Sequence, residues 1–384
     1  MSDYPVIKWH EAGIDQSARW RSESGAPPPR RVVIADDRMT ADAAYRLACE
    51  GTALLWRGDF QNARQLLGAM ARRADEKPRK PKAAPSTPIE SFHLHRQAIS
   101  QRARTLGMLL LPFNSDHTIP LRRAPDVHLP CIQVYGPSDG QPYIASLREL
   151  LGLIGAYEWR KNGVEIPVLG SRIHPHYGVF APVRGEYIKL VADAPLPLLA
   201  QTQSVAFDIG TGTGVLAAVL ARRGIQRIIA TDQDQRALAC ARENLTRLGL
   251  NAQVEVVEAD LFPEGRAALI VCNPPWVPAR PSSPLEHAVY DPESSMLKGF
   301  LGGLAAHLEP GGEGWLILSD LAEHLGLRTR AELLEAIDVA GLTVLEKLDV
   351  KPHHSKVSDS SDPLHAARKA ELTSLWRLGK AADN

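Results

Sequence analysis

The pattern of hydrophobic positions becomes regular after residue 204. From there on, short apolar runs alternate with stretches of helical periodicity near 215–223, 235–248, 294–308 and 330–340. The runs predict seven strands: SVAFDIG, RIIATD, AQVEVVEAD, AALIVCNPPW, GEGWLILS, LTVLEKLDV and LTSLWRL. Strands that alternate with helices predict an α/β fold whose mostly parallel sheet is covered by helices on both faces. The last two strands follow each other without a predicted helix, so we expect the final strand to be antiparallel.

The earlier part of the chain has a less regular pattern. Apolar residues recur at intervals of three and four over residues 41–73, which indicates helix. Gly58-Asp59 interrupts this pattern, and Asp59 is a good N-cap for a second helix. We therefore predict a helix–turn–helix hairpin, faintly similar to a tetratricopeptide unit without a second copy, within a mainly helical or mixed N-terminal region. Further helices are predicted near 92–111, 144–161 and 186–194.

Charge is unevenly distributed, although 44 Lys/Arg balance 44 Asp/Glu over the whole chain. Residues 51–130 carry 13 basic and 6 acidic side chains, whereas residues 201–384 carry 18 and 24. Residues 74–90 combine four prolines with four Lys/Arg. We interpret this segment as a solvated linker, with a contact to nucleic acid as the alternative. We expect two domains, one over 1–165 that includes the hairpin and the linker, and a second over 166–384.

The overall composition, with 44% apolar and 23% charged residues in 384, is that of a globular protein and excludes a disordered or collagen-like chain. The first residues lack the apolar stretch of a secretory signal, and the apolar run at 106–113 is too short for a membrane span. We predict a cytoplasmic protein without a metal site, since His353-His354 stand in a polar loop. Its four cysteines are too far apart for metal-ligand spacing: Cys49, Cys131, Cys240 and Cys272.

A glycine-rich turn follows the first strand of the regular part, Asp208-Ile-Gly-Thr-Gly-Thr-Gly214. Alternate glycines allow a sharp turn and a close approach of the backbone to a ligand. The dinucleotide fingerprint G-x-G-x-x-G is not met, because Val215 follows this run. Asp208 would repel a pyrophosphate and would favour a ligand with an ammonium group. A tight turn that binds nothing is the alternative.

Acidic residues also end the next two predicted strands. Asp232 follows the second strand, where a carboxylate can accept both hydroxyls of a ribose. Asp260 ends the third strand, where a carboxylate can accept from the amino group of adenine. Acids at the carboxyl ends of three consecutive parallel strands predict a ligand site at one edge of the sheet, rather than isolated caps or turns.

The fourth strand runs into Asn273-Pro274-Pro275-Trp276. Proline lacks an N–H and fixes φ, so the Pro274 carbonyl is left to point outward beside the amide oxygen of Asn273. Two adjacent acceptors can hold both N–H bonds of a planar –NH2 group and expose its nitrogen lone pair to an electrophile. Trp276 offers a flat face for stacking. An ordinary proline-rich loop with a core tryptophan is the alternative.

With these motifs the sequence resembles class I S-adenosylmethionine-dependent methyltransferases over roughly 170–384. NPPW resembles the NPPY/NPPF signature of the amino-methylating branch, which includes HemK/PrmC-type release factor glutamine methyltransferases, ribosomal RNA guanine-N2 methyltransferases and N6-adenine enzymes. GVFAPVRGEYIKLV resembles the connector that precedes the glycine turn in PrmC-type enzymes, without its usual Pro-Arg-Pro-Glu run. Trp276 stands where Tyr or Phe is usual.

The resemblance implies a Rossmann-like methyltransferase fold with S-adenosylmethionine as cofactor. It places the methionine end at Asp208 and the glycines, the ribose at Asp232, and the adenine at Asp260 with Leu261. The predicted cofactor-binding residues are Asp208, Gly210, Thr211, Gly212, Gly214, Asp232, Gln233, Asp260, Leu261 and Asn273. The predicted catalytic residues are Asn273, Pro274, Pro275 and Trp276, and the predicted substrate contacts are Phe180, Arg184 and Trp276.

We therefore predict an N-methyltransferase that acts on a planar amino or amide nitrogen of a macromolecule, with no membrane partner. A protein glutamine, a ribosomal RNA base and a small amine remain open as acceptors. No metal or separate strong base is required, because the nitrogen can lose its proton after the transfer. A non-catalytic scaffold that binds the cofactor is the alternative from another class, and the intact Asn273 and Trp276 disfavour it.

Overall fold

The computed structural model describes residues 4–76, 85–202, 205–281, 286, 288–352, 359 and 362–381. The middle of the predicted linker 74–90, residues 77–84, lies outside these residues, as do His353 and His354. The linker is shorter than predicted, because residues 74–75 and 88–90 belong to helices. The chain divides into two compact units, and the main division lies between residues 158 and 159, whereas the sequence placed it at 165/166. Of the described residues, the N-terminal unit comprises 4–76, 85 and 93–158, and the C-terminal unit comprises 86–92, 159–202, 205–281, 286, 288–352, 359 and 362–381.

The N-terminal unit is built around a sheet. Its strands are β1 (Val6–Glu11), β2 (Ile14–Trp20), β3 (Arg31–Ala35), β4 (Thr52–Trp56), β5 (Leu109–Phe113) and β6 (Tyr143–Ser146). The helices along this part of the chain are α1 (Ala41–Cys49), α2 (Phe60–Asp75), α3 (Pro88–Leu106), α4 (His128–Tyr135) and α5 (Leu147–Asn162). The strand order is β1-β2-β6-β5-β4-β3. The pairs β1/β2 and β5/β6 are antiparallel and the others are parallel.

The hairpin predicted over 41–73 is wrong in its middle, because β4 separates α1 from α2. This strand pairs on both sides, and all five of its residues are buried. A strand covered on both faces is apolar throughout, so the run TALLW lacks the alternation that identifies most strands. The predicted N-cap is confirmed, since the Asp59 side chain accepts a hydrogen bond from the Gln61 N–H at 2.9 Å.

Two other helices of the N-terminal region are shorter than predicted. The helix expected over 92–111 ends at Leu106, and β5 follows it with Pro112 inside the strand. The helix expected over 144–161 starts at Leu147, because the preceding residues form β6. Of the expected mainly helical or mixed region, the mixed form is the one observed, since this part of the chain combines a six-stranded sheet with helices.

The C-terminal unit contains a small hairpin and a large sheet. Its strands are β7 (Val164–Ile166), β8 (Ser171–Ile173), β9 (Val205–Ile209), β10 (Arg227–Asp232), β11 (Val254–Glu258), β12 (Ala267–Cys272), β13 (Leu308–Ser319), β14 (Leu342–Val350) and β15 (Thr373–Lys380). Its helices are α6 (Glu186–Asp193), α7 (Leu198–Thr202), α8 (Val215–Arg222), α9 (Gln235–Arg247), α10 (Ser295–His307), α11 (Leu321–His324), α12 (Arg330–Val339) and α13 (His365–Ala370).

The large sheet has seven strands in the order β11-β10-β9-β12-β13-β15-β14. The first five are parallel, and β15 is antiparallel to both of its neighbours. The predicted fold class and the antiparallel final strand are thus confirmed, although α13 lies between the last two strands. Successive side chains of β9 point to opposite faces of the sheet. Ala206 therefore packs in one hydrophobic core and Phe207 in the other.

None of the helices formed by the described residues is long and apolar enough to cross a bilayer.

Candidate active site

The carboxyl ends of β9, β10, β11 and β12 meet at one edge of the large sheet. Cys272 of β12 is paired with Ile209 of β9, so Asn273 and Gly210 leave adjacent strands side by side. Neighbouring strands lie about 4.8 Å apart. Asp232 ends β10 on the other side of β9. The structure therefore brings the glycine turn, the acid of the second strand and the NPPW segment to one place.

Asp208 lies beneath the glycine turn and is only 1% exposed. Its Oδ2 atom accepts hydrogen bonds from the Thr211 hydroxyl at 2.6 Å and from the Ala217 N–H at 3.0 Å. Burial raises the pKa of this carboxyl to about 6, against the opposing effect of these two donors. Asp208 thus fixes the turn and the first turn of α8 from below, and its contact with the methionine end of the cofactor stays a prediction.

The three glycines of the turn all have positive φ, but for different reasons. A Cβ on Gly214 would lie 3.3 Å from Ala241, so this glycine permits close packing against α9. A Cβ on Gly210 would lie 2.5 Å from the terminal methyl of Met296. A Cβ on Gly212 would have no atom of another described residue, apart from its chain neighbours, within 4 Å. Gly212 therefore borders open space that a ligand can occupy.

Asp232 connects the end of β10 to the glycine turn. Its Oδ2 atom accepts from the Gly212 N–H at 3.0 Å, and its Oδ1 atom accepts from the Asp234 N–H at 3.0 Å. Burial raises the pKa of this carboxyl. The side chain is half-buried, and the following residue, Gln233, is exposed.

The segment after β11 has two residues with different environments. Asp260 is exposed, so its carboxylate is accessible at the sheet edge. Leu261 has a positive φ of 68°, and its carbonyl accepts from the Thr231 hydroxyl at 2.6 Å. The Leu261 side chain packs towards α10, where a Cβ on Gly299 would lie 2.6 Å from it. The side chain is therefore directed to the helix, and the backbone of this segment faces the sheet edge.

The NPPW segment holds one internal hydrogen bond between side chains. The Trp276 Nε1–H donates to the Asn273 Oδ1 at 2.8 Å. Asn273, Pro275 and Trp276 are half-buried, whereas Pro274 is buried. Among the described residues, no backbone N–H donates to the Pro274 carbonyl. Trp276 also packs against both large cores and against the smaller cluster around Phe92.

The two connector residues predicted to contact substrate have different surroundings. Phe180 is 37% exposed. The Arg184 Nη1 atom lies 3.4 Å from Oε1 of the buried Glu371, which also accepts from the Ser319 hydroxyl at 2.7 Å. Because Ser319 ends β13, this pair places Arg184 at the edge of the sheet beyond β12.

Two further residues, which the sequence motifs do not mark, hold the segments around the site in place. Asn244 is 1% exposed; its Oδ1 accepts from the His174 N–H at 2.8 Å, and its Nδ2 donates to the Thr213 carbonyl at 3.1 Å. It therefore ties the segment that follows β8 to the glycine turn. Asp291 accepts from the N–H groups of Met296 and Leu297 and so begins α10. Asn244 is a polar residue on the apolar face of the helix predicted over 235–248, and this position was the sequence feature that could have identified it.

No group of three His, Cys, Asp or Glu side chains that could hold a metal ion occurs in the part of the chain that the structure describes. The absence of a metal remains a prediction.

Comparison with known proteins agrees with this geometry. Residues 173–330 match the family model described as the methyltransferase small domain. The chain is 36% identical over 166 residues to a release factor glutamine methyltransferase of Cereibacter sphaeroides, covering 39% of this chain and 58% of that protein. It is 35% identical over 144 residues to a ribosomal protein L11 methyltransferase of Pelotomaculum thermopropionicum, covering 37% and 39% respectively.

A solved structure of ribosomal protein L11 methylase from Lactobacillus delbrueckii subsp. bulgaricus aligns with a TM-score of 0.37 at 17% identity, covering 55% of this chain and 86% of that one. The chain spans about half the length of the curated relatives it matches. The strand order, the motifs at the sheet edge and the family match all lie in the same part of the sequence. Residues 173–330 of the C-terminal unit are therefore similar to the methyltransferase small domain, and the strand order and motifs around them are consistent with a class I S-adenosylmethionine-dependent methyltransferase.

Proposed function

We propose that this protein transfers a methyl group from S-adenosylmethionine to the side-chain amide nitrogen of a glutamine in a protein. The observation that carries this proposal is the position of Asn273 and Pro274. They follow β12 directly, beside the glycine turn of β9. A carbonyl oxygen and an amide oxygen are thus available next to a turn suited to the cofactor.

The residues at the sheet edge fit the cofactor. Gly212 borders open space. Its N–H donates to the Asp232 carboxylate, and this bond fixes the conformation of the turn before a ligand binds. Asp232 and the exposed Asp260 supply acceptors for hydroxyl and amino hydrogens. When bound, the cofactor supplies a methyl group on a positively charged sulfur, which leaves as a thioether with the electron pair of the broken bond.

The chain's own part in the reaction is to seat the acceptor nitrogen. The Asn273 Oδ1 and the Pro274 carbonyl each accept one N–H of the amide. Both hydrogen bonds draw the nitrogen out of conjugation with its carbonyl, so its lone pair becomes available for attack on carbon. The half-buried Trp276 ring provides the flat surface against which the planar group rests. The nitrogen loses its extra proton to solvent after the transfer.

A macromolecular acceptor is supported by the relatives and by the size of the N-terminal unit. The relatives are named for methylation of release factors and of ribosomal protein L11. The N-terminal unit, with its own six-stranded sheet, adds a separate surface. We propose that this unit recognises the acceptor.

The experiment is transfer of tritiated methyl from the cofactor into fractionated cell extract, with the product scored as protein, RNA or small molecule. We expect label in protein. An RNA acceptor contacted through several phosphates would bind much more weakly at 200 mM than at 50 mM salt, whereas a protein acceptor should depend less on salt. Label confined to small molecules would contradict the proposal.

The role of the N-terminal unit requires a carefully placed truncation. Phe92 belongs to the C-terminal unit and packs in the cluster that includes Val277, next to the NPPW segment. A chain that begins at Ser86 keeps this contact and loses β1 to β4. We expect it to bind S-adenosylhomocysteine but not to methylate the full-length enzyme's acceptor. Efficient methylation by the truncated chain would contradict the recognition role.

A further inference from the structure

The hydrogen bond between Trp276 and Asn273 has a defined direction. The indole nitrogen can only donate, so the atom that it meets 2.8 Å away must be the amide oxygen and not the amide nitrogen. The two ends of an asparagine side chain have almost the same shape but opposite hydrogen-bonding character. A fixed donor beside the amide therefore decides which end occupies which place.

We propose that Trp276 is a positioning residue that holds the Asn273 amide in its productive orientation through the indole N–H. The proposal rests on the proposed function, in which the Asn273 oxygen accepts one hydrogen of the acceptor nitrogen. An amide oxygen has two lone pairs. Trp276 occupies one of them, and the other remains for the acceptor. In the reversed orientation the Asn273 Nδ2 would meet the acceptor's N–H groups, donor against donor.

The surroundings of Trp276 keep its donor in place. The ring packs against the cores on both sides of the large sheet and against the cluster around Phe92. The next residue, Val277, is fixed by a bridge to Tyr290, and its carbonyl accepts from the Asp291 N–H at 2.9 Å. The indole N–H is thus held by packing and by the backbone that follows it, so it is aligned before any ligand binds.

This assigns to tryptophan a task that the related signature residues cannot perform in the same way. Phenylalanine has no donor on its ring, and the tyrosine hydroxyl lies at the far end of the ring. Both can supply a stacking face. Trp276 therefore combines a stacking face with the orientation of Asn273, and the two tasks are separable by substitution.

The first test needs no methyl transfer. In full-length protein labelled with 15N at its seven tryptophans, Trp276→Phe identifies the Trp276 indole signal. We expect this N–H to exchange with solvent about tenfold faster in Asn273→Ala than in the wild type, as for loss of a hydrogen bond worth about 1.4 kcal/mol. Asn251→Ala, in an exposed turn, is the matched control. An unchanged indole signal and exchange rate in Asn273→Ala would overturn the proposal.

The second test is a double-mutant cycle with Asn273→Asp. A carboxylate has two equivalent acceptor oxygens, so no orientation has to be maintained. With asparagine present, we expect Trp276→Phe to lower kcat about five- to tenfold with little change in KM, as for loss of one hydrogen bond. In the Asn273→Asp background, the same ring substitution should cost less than about twofold.

Equal losses in both backgrounds would mean that the ring acts only through packing, and the proposal would be wrong. S-adenosylhomocysteine affinity, measured for every variant, shows whether the cofactor site is intact. If Asn273→Asp is too slow to measure, the indole exchange experiment decides alone. A wild-type enzyme that methylates no amide would remove the proposed function but would leave the outcome of the exchange experiment standing.

Discussion

The turn after β9 and the NPPW segment after β12 lie side by side at one sheet edge, yet their polar groups are used in opposite ways. In the glycine turn, side chains hold the backbone: Asp208 bonds the N–H of Ala217 and Asp232 bonds the N–H of Gly212. In the NPPW segment, two prolines contribute no N–H, and the side chains of Trp276 and Asn273 bond to each other. In the glycine turn, the hydrogen bonds fix the conformation of the backbone. In the NPPW segment, oxygen atoms stay available as hydrogen-bond acceptors.

We infer from this difference that the two segments have different roles at the sheet edge. Changes in the glycine turn should alter stability and cofactor affinity, because its carboxylates maintain the backbone. Changes in the NPPW segment should alter the rate, because its oxygens contact the reacting nitrogen. Each prediction below tests one side of this comparison.

The largest expected effect is that of Asn273→Ala on catalysis. Loss of one acceptor at the reacting nitrogen should lower the rate of methyl transfer by about 10²-fold or more. The affinity for S-adenosylhomocysteine, measured by calorimetry, should stay close to that of the wild type. Wild-type turnover on the true acceptor would contradict the seating role of Asn273.

The second prediction concerns the pH dependence of stability that Asp208 causes. Burial raises its pKa from 3.8 to about 6. The unfolded chain therefore releases this proton at lower pH than the folded chain does. The free energy of unfolding should fall as the pH rises from about 4 to about 6, by no more than about 1.4 kcal/mol per pH unit.

Asp208→Asn keeps an acceptor oxygen but cannot ionise. Urea denaturation at several pH values between about 4 and 7 should show a smaller decrease in this variant than in the wild type. Parallel curves for the two proteins would mean that Asp208 does not carry the raised pKa.

The third prediction is a loss of cofactor affinity in Asp232→Ala. This carboxylate accepts from Gly212 and is the predicted partner of the ribose, so its removal should weaken S-adenosylhomocysteine binding by about 1.5–3 kcal/mol. Asp338→Ala, at an exposed position of α12, is the control and should bind normally. If both variants bound S-adenosylhomocysteine equally well, Asp232 would not be the residue that binds the ribose.

The smallest expected effects separate two glycines of one turn. Alanine at either position costs about 1–2 kcal/mol for a left-handed backbone. Gly214→Ala should lower stability further, since its Cβ would lie 3.3 Å from Ala241. Gly212→Ala should instead lose more cofactor affinity, because its Cβ enters the open space above the turn. Thermal unfolding and calorimetry on the pair provide the measurement, and the reverse ranking would contradict the assignment.

The sequence revealed the large sheet better than the small one. Short apolar runs alternating with amphipathic helices identify parallel strands, and the acids and prolines at their ends mark one edge. The run TALLW was misread, because a strand buried on both faces shows no period. Its position between Gly51 and Gly58 was the remaining sign of a strand.

Within the site, the sequence located residues but not the direction of their side chains. Asp208 and Leu261 stand where the motifs place them, yet the carboxylate turns inward to Thr211 and the leucine turns towards α10. The bond between Trp276 and Asn273 depends on how the loop after β12 folds back. Such directions follow from packing between segments distant in sequence, which a linear pattern does not contain.

The most direct test of the account is the identity of the methylated atom. Protein methylated by the full-length enzyme with isotopically labelled cofactor should be digested and examined by mass spectrometry, beside the product of Asn273→Ala. The account predicts label on a glutamine side-chain nitrogen, strongly reduced in the variant. Label on an oxygen or a carbon, or undiminished label with Asn273→Ala, would contradict it.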